Sequence, residues 1–218
     1  MSLKLSFALV IYALFSADGA VIEKKLRFPL QLSAQIQITA HLIPADQSYP
    51  PRLRSLHINY DYLNKRARAD IAGGYEAEKT YIRRYDLEKE YMIRPTPIDD
   101  CKRSYLGETM PYPDLQSAVY LNEESLDGEQ ALHYVFEDFE TLVHIYISKF
   151  DNRPLRLTQG SLHDGVFTPL LTYDYSDVVL GEPDEDLFDI PSPYSHESCD
   201  FHTGGFPYLH IFHYFVRF

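Results

Sequence analysis

The stretch LQLSAQIQITAHL (Leu30–Leu42) alternates without an error over thirteen residues. Leu30, Leu32, Ala34, Ile36, Ile38, Ala40 and Leu42 are apolar, and Gln31, Ser33, Gln35, Gln37, Thr39 and His41 between them are polar. A period of two predicts a β-strand with one oily and one wet face. At about 3.3 Å per residue such a strand extends about 43 Å. Ordinary strands have about five or six residues. A strand this long must twist and curve, as in large barrels and open, cupped sheets. Its apolar side can pack a core, face lipid or line a cavity for an apolar ligand.

The segments that follow repeat the pattern at shorter range. Leu56, Ile58, Tyr60 and Tyr62 alternate with polar residues, Asn64-Lys65 reads as a turn, and Ala67, Ala69 and Ile71 return on a second strand. Gly73-Gly74 breaks the pattern. KTYIRRYDLEKEYMIRPTP reads as another hairpin, stopped by Pro95 and Pro97. Residues 99–128 have weak periodicity, with a short helix expected over Pro113–Leu121. Strands resume in EQALHYVFED, ETLVHIYISKF, LRLTQGS and FTPLLTYDYSDVVL, with DNRP as a turn. Roughly eight or nine strands joined by short turns predict a mainly β chain: an antiparallel barrel, half-barrel or sandwich with few short helices. Charge on both faces of YIRRYDLEKEYM argues against a transmembrane barrel.

Residues 1–20, MSLKLSFALVIYALFSADGA, read as a signal peptide. Lys4 supplies the positive start, Leu5–Phe15 the apolar run, and Ala20 a small residue for cleavage. The run is shorter than the ~20 residues that span a bilayer. The expected mature chain begins at Val21, with residues 21–199 as one domain and 200–218 as an aromatic tail packed on it. A net charge of −12 makes nucleic acid and anionic membranes poor partners. With 18 Tyr and 13 Phe the composition is that of a folded protein. Cys101 and Cys199 are the only cysteines, and in an oxidising compartment they are expected to form one disulfide.

Several blocks resemble a family of secreted proteins from plants and protists: LHINYDYLNKRARADI, DDCKRSYLGETM, YVFEDFETLVHIYISKFDNRPLRLTQGS and DVVLGEPDEDLFDIPSPYSHESC. Their order is similar to that of ependymin-related proteins and, more distantly, of the bacterial lipoprotein carrier LolA. The resemblance covers roughly residues 30–199. It implies a single strongly curved antiparallel sheet wrapping a hydrophobic pocket, and a role in binding lipid or another hydrophobic ligand. The chain departs from those families in having one cysteine pair and no Trp.

The expected ligand contacts on the first strand are Leu32, Ala34, Ile36, Ile38 and Ala40. The small residues at 34 and 40 leave room that Leu or Phe would fill. The acidic run Glu182, Asp184, Glu185, Asp186 and Asp189 offers hard oxygen ligands. Ependymins are described as calcium-binding, so Asp184, Asp186 and Asp189 are the candidates for calcium, with a solvated loop as the ordinary alternative. No other cofactor is expected. Asp184-Glu185-Asp186 also matches the Asp-x-Asp motif of metal-dependent glycosyltransferases, but no phosphate-cradling Gly loop or βα alternation accompanies it. His196, His202, His210 and His213 gather near the C-terminus, where a zinc site or a pH-responsive segment competes with a partly buried terminal strand. Neither Gly-x-Ser-x-Gly nor His-Glu-x-x-His occurs.

The expectation is a non-enzymatic protein, secreted to the extracellular space or the endolysosomal lumen, that holds a hydrophobic or amphipathic small molecule, a lipid, in a cupped β-sheet without spanning a membrane. A secreted protein–protein interaction module with a packed core is the alternative.

Overall fold

The computed structural model describes residues 25–47, 52–74, 77–95, 100–113, 115, 117–138 and 141–206. The proposed signal peptide, His210, His213 and most of the aromatic tail lie outside them. Among the described residues the strands are β1 (Gln31–Ala40), β2 (Leu53–Asp61), β3 (Arg66–Gly73), β4 (Thr80–Arg84), β5 (Lys89–Arg94) and β6 (Asp100–Tyr105). They continue as β7 (Val119–Leu126), β8 (Glu129–Asp138), β9 (Thr141–Ser148), β10 (Pro154–His163), β11 (Val166–Leu180) and β12 (Asp200–Phe201). Tyr85–Leu87 and Glu185–Phe188 are short 3-10 turns. No described helix is long and apolar enough to cross a membrane.

All twelve strands form one open, curved sheet, in the order β12-β6-β5-β4-β3-β2-β1-β11-β10-β9-β8-β7. The expected half-barrel architecture is therefore the observed one. Two meanders, β1–β6 and β7–β11, are zipped together where β1 pairs with β11. β1 thus has a partner on each edge, and one face of it is sealed. That explains why its sequence alternates more strictly than any other. Leu32, Ala34, Ile36, Ile38 and Ala40 are all buried, whereas Gln31, Ser33, Gln35, Gln37 and Thr39 are half-buried or exposed.

The turns follow from local chemistry. Asp127-Gly128 and Asp164-Gly165 each have two positive φ angles, the requirement of a two-residue turn matched to strand twist. Asp177, at φ 50°, is the extra residue where β11 bulges against Ser33 and Gln35 of β1.

Three expectations need correction. The first strand has ten residues, not thirteen. Ala40 N and His41 N donate to Arg52 O and Leu170 O, and the chain then turns, leaving Leu42 71% exposed. The helix expected over Pro113–Leu121 is absent among the described residues there, and Val119–Leu121 open β7 instead. The strand count rises because β6 and β7 lie inside the stretch that read as irregular. β7 is one edge of the sheet among the described residues and is mostly exposed, so it has no apolar face to betray it.

Candidate functional site

The inner face of the sheet is continuous and apolar. Its buried members include Leu32, Ala34, Ile36 and Ile38 of β1, Leu56 and Ile58 of β2, Ile145 of β9 and Tyr173 of β11. No second sheet packs on it among the described residues. The cover provided by described loops comes from Leu26 and Phe28 before β1, Met110 and Leu115 between β6 and β7, and Phe206 after β12. The five residues expected to contact ligand are brought together here, each 8% exposed or less.

The same face turns polar toward β4–β6. Arg83 and Glu90 are paired residues of β4 and β5, two positions along from the inward Tyr81 and Met92. They are 4% and 1% exposed, with Nε 3.2 Å from Oε2. Arg83 Nη1 also lies 2.5 Å from Glu108 Oε1. The pair clamps the chain as it leaves β12: Phe206 N donates to Glu90 Oε1 at 3.1 Å, and Arg83 Nη2 donates to Phe206 O at 3.4 Å. Burial raises the Glu90 carboxyl above the usual range, and Arg83 opposes that rise. An open cleft of about 740 Å³ lies here, lined by Arg83, Glu90, Ser104, Leu106, Glu108 and Phe206 among others. Sequence reading missed this part of the face because Arg83 and Glu90 look like ordinary solvated charges. Their positions in phase with Tyr81 and Met92 were the available signal.

The outer face over β3–β6 is covered by the acidic segment after β11. Arg66, 5% exposed, holds Asp61 at 2.8 Å and reaches Glu182 at 3.3 Å and Glu185 at 3.4 Å. Arg68 Nη1 donates to Leu187 O at 2.9 Å, and Arg84 lies 3.5 Å from Asp189. Asp184 caps the 3-10 turn by accepting from Asp186 N at 3.1 Å. The candidate calcium residues are thus spread along a strap held by arginines. Among the described residues no three His, Cys, Asp or Glu side chains converge as a metal site. The strap ends at the disulfide Cys101–Cys199, which spans 98 residues and packs with Ile82, Tyr91 and Ile93. His196 bonds Tyr91 Oη at 2.9 Å and Arg103 Nη1 at 2.6 Å, and His202 stacks on Phe206.

A second polar cluster lies on the outer face of β7–β9. His133 Nδ1 is 2.9 Å from Glu124 Oε1, and His133 Nε2 is 2.8 Å from His144 Nδ1. Tyr146 stacks on His133 at 4.3 Å, and Phe167 meets His144 edge-on at 4.5 Å.

No family model matches the chain, and no curated protein matches it. Among solved structures, an uncharacterized conserved protein from Thermus thermophilus is similar over 80% of this chain and 90% of its own, with a TM-score of 0.53 at 11% identity. MucB, solved in complex with MucA(peri), is similar over 74% of this chain and 54% of its own, with a TM-score of 0.46 at 11% identity. A LolA superfamily protein from Nitrosomonas europaea is similar over 76% of this chain and 93% of its own, with a TM-score of 0.34 at 14% identity. The Thermus likeness is one of fold.

Proposed function

We propose that this chain is a non-enzymatic protein that holds a hydrophobic or amphipathic ligand, a lipid, against the inner face of its sheet. The observation that carries this reading is a continuous apolar face on a single sheet layer, with short loops in place of a second sheet. A layered domain normally buries such a face against another regular element. Ala34 and Ala40 keep the face shallow on β1, and an open cleft continues it at β4–β6. The leader-like N-terminus and the disulfide support an oxidising compartment, outside the cell or in the endolysosomal lumen. The resemblance of the sequence blocks to ependymin-related and LolA-like proteins supports the same ligand class.

A second reading, a secreted protein–protein interaction module, draws on one observation. The five β1 residues are already buried, and the cleft does not reach them. Titrating delipidated protein with a fluorescent acyl-chain probe separates the two. Lipid binding predicts saturable uptake that falls in Ala34→Phe while the melt stays cooperative. Uptake that never saturates would favour the interaction module.

A further inference from the structure

One residue of the apolar face is an amide. At one end of the sheet a row of paired residues runs Phe136, Val143, Gln159, Leu171, Ala40 across β8, β9, β10, β11 and β1. Directly opposed residues point to the same side of a sheet. The next row inward is Tyr134, Ile145, Leu157, Tyr173 and Ile38, every one 2% exposed or less. Gln159 therefore faces the same side as Leu157, two residues away on β10. It occupies the middle of this row, where Gln159 and Leu171 are half-buried while Val143 is 1% exposed. The next row outward, Thr141, Ser161 and Thr168, is polar.

The amide is held there by the backbone. Pairing with β11 slips between Gln159 and Gly160. A Cβ at Gly160 would sit 2.4 Å from Thr168 O and 2.4 Å from the Phe167 ring. Only glycine lets the strands approach so closely; the extra residue of the bulge is Leu170 on β11, and beyond it the same side of β10 carries Ser161, paired with Thr141 and Thr168, so Gln159 stands where the apolar face gives way to hydroxyls. Among the described residues no hydrogen-bond partner reaches its buried Oε1. A buried amide end left unpaired is disfavoured, so its presence among Val143, Leu171 and Phe136 requires a reason.

We propose that Gln159 anchors the polar end of an amphiphile whose chain lies along the apolar face. This rests on the lipid-binding reading above and narrows its ligand. The anchor accepts through Oε1, so the headgroup carries a hydroxyl or amide N–H. None of the five residues of this row is charged, and Arg54, which pairs with Ile38 on the same face, lies three strands from Gln159, so a neutral headgroup is favoured over a carboxylate, which would be desolvated without a counter-ion beside it. From Ala40 to Leu32 the face runs eight residues along β1, about 26 Å, long enough to lie against one extended acyl chain.

The test is competition between two ligands of equal chain length. The secreted full chain is delipidated and offered equimolar 1-monolauroylglycerol and dodecanoate at pH 8, and bound masses are read by native mass spectrometry. The wild type should favour the glyceride about five- to tenfold, the value of one hydrogen bond. Gln159→Leu should lose most of that preference, the part the hydrogen bond supplies, and it should melt no lower than the wild type, because it removes an unpaired polar group. A wild type that prefers dodecanoate, or an unchanged preference in Gln159→Leu, would overturn the anchor while leaving lipid binding intact. Binding of neither ligand by the wild type would overturn both.

Discussion

His133 and His144, on neighbouring strands of the outer face, share a hydrogen bond of 2.8 Å between Nε2 and Nδ1. Glu124, 2.9 Å from His133 Nδ1, fixes the direction of the chain of protons. With its Nδ1 proton facing the carboxylate, His133 accepts at Nε2 from His144 Nδ1, and the buried Nε2 of His144 is left as an acceptor. Both rings are neutral in this arrangement. Burial lowers both of them, with Glu124 pulling the other way. A histidine whose folded value lies below its unfolded one binds more protons when unfolded. Stability is then lost as pH falls through the ordinary value of about 6.5 toward the lowered one. Thermal melts between pH 7.5 and pH 5 should show a falling Tm. The fall should be smaller in a variant carrying His133→Phe and His144→Phe, and equal slopes would contradict this assignment.

The disulfide closes a loop of 98 residues and joins β6 to the end of the acidic strap. A cross-link over so long a loop stabilises by up to about 4.7 kcal/mol, through the entropy of the unfolded chain. Replacing both Cys101 and Cys199 by Ala should lower stability by about 2–5 kcal/mol in urea unfolding. Added reductant should shift the wild type alone.

Arg83 and Glu90 form a buried pair whose removal should be asymmetric. Arg83→Met leaves the Glu90 carboxylate buried without its counter-charge, at a cost of about 3–5 kcal/mol at pH 7. In that variant the folded-state value of Glu90 stands above its unfolded value of about 4.3. The folded state then binds the extra proton, so stability falls as pH rises through that window and returns as pH falls. Urea midpoints should show the Arg83→Met deficit shrinking from pH 7 to pH 5. Glu90→Gln should cost less, because Glu108 remains beside Arg83. Equal losses at both pH values would count against this account.

Gly160→Ala should be destabilising, since its Cβ would meet Thr168 O and the Phe167 ring at 2.4 Å. Overpacking of this kind costs about 1–3 kcal/mol. Gly165→Ala, at a turn where nothing lies within 4 Å, provides a comparison. Its penalty should come from the positive φ of 78° alone.

The half-barrel was legible because β1 sits at the seam between the two meanders. A strand paired on both edges and sealed on one face leaves an alternation that survives in sequence. β8 was legible end to end for the same reason. β7 was not, because an exposed edge strand places few demands on its side chains. β6 hid behind DCKRSY, where only Cys101 and Ser104 are buried. The acidic run read as a candidate calcium loop, and its partners Arg66, Arg68 and Arg84 lie on strands roughly a hundred residues earlier, a pairing only the fold reveals. Gln159 was not singled out, although it falls in phase with Leu157 and ends the apolar run of that face of β10. A polar residue paired with apolar neighbours in the buried phase was the signal, and those neighbours come from the fold.

The most direct test of the central claim is native mass spectrometry of the chain purified from a secretory host without detergent, paired with a denaturing spectrum and an organic extract. The account predicts a bound species of lipid-like mass that is lost on denaturation and recovered in the extract. A bare protein mass that persists after incubation with mixed lipids would contradict it.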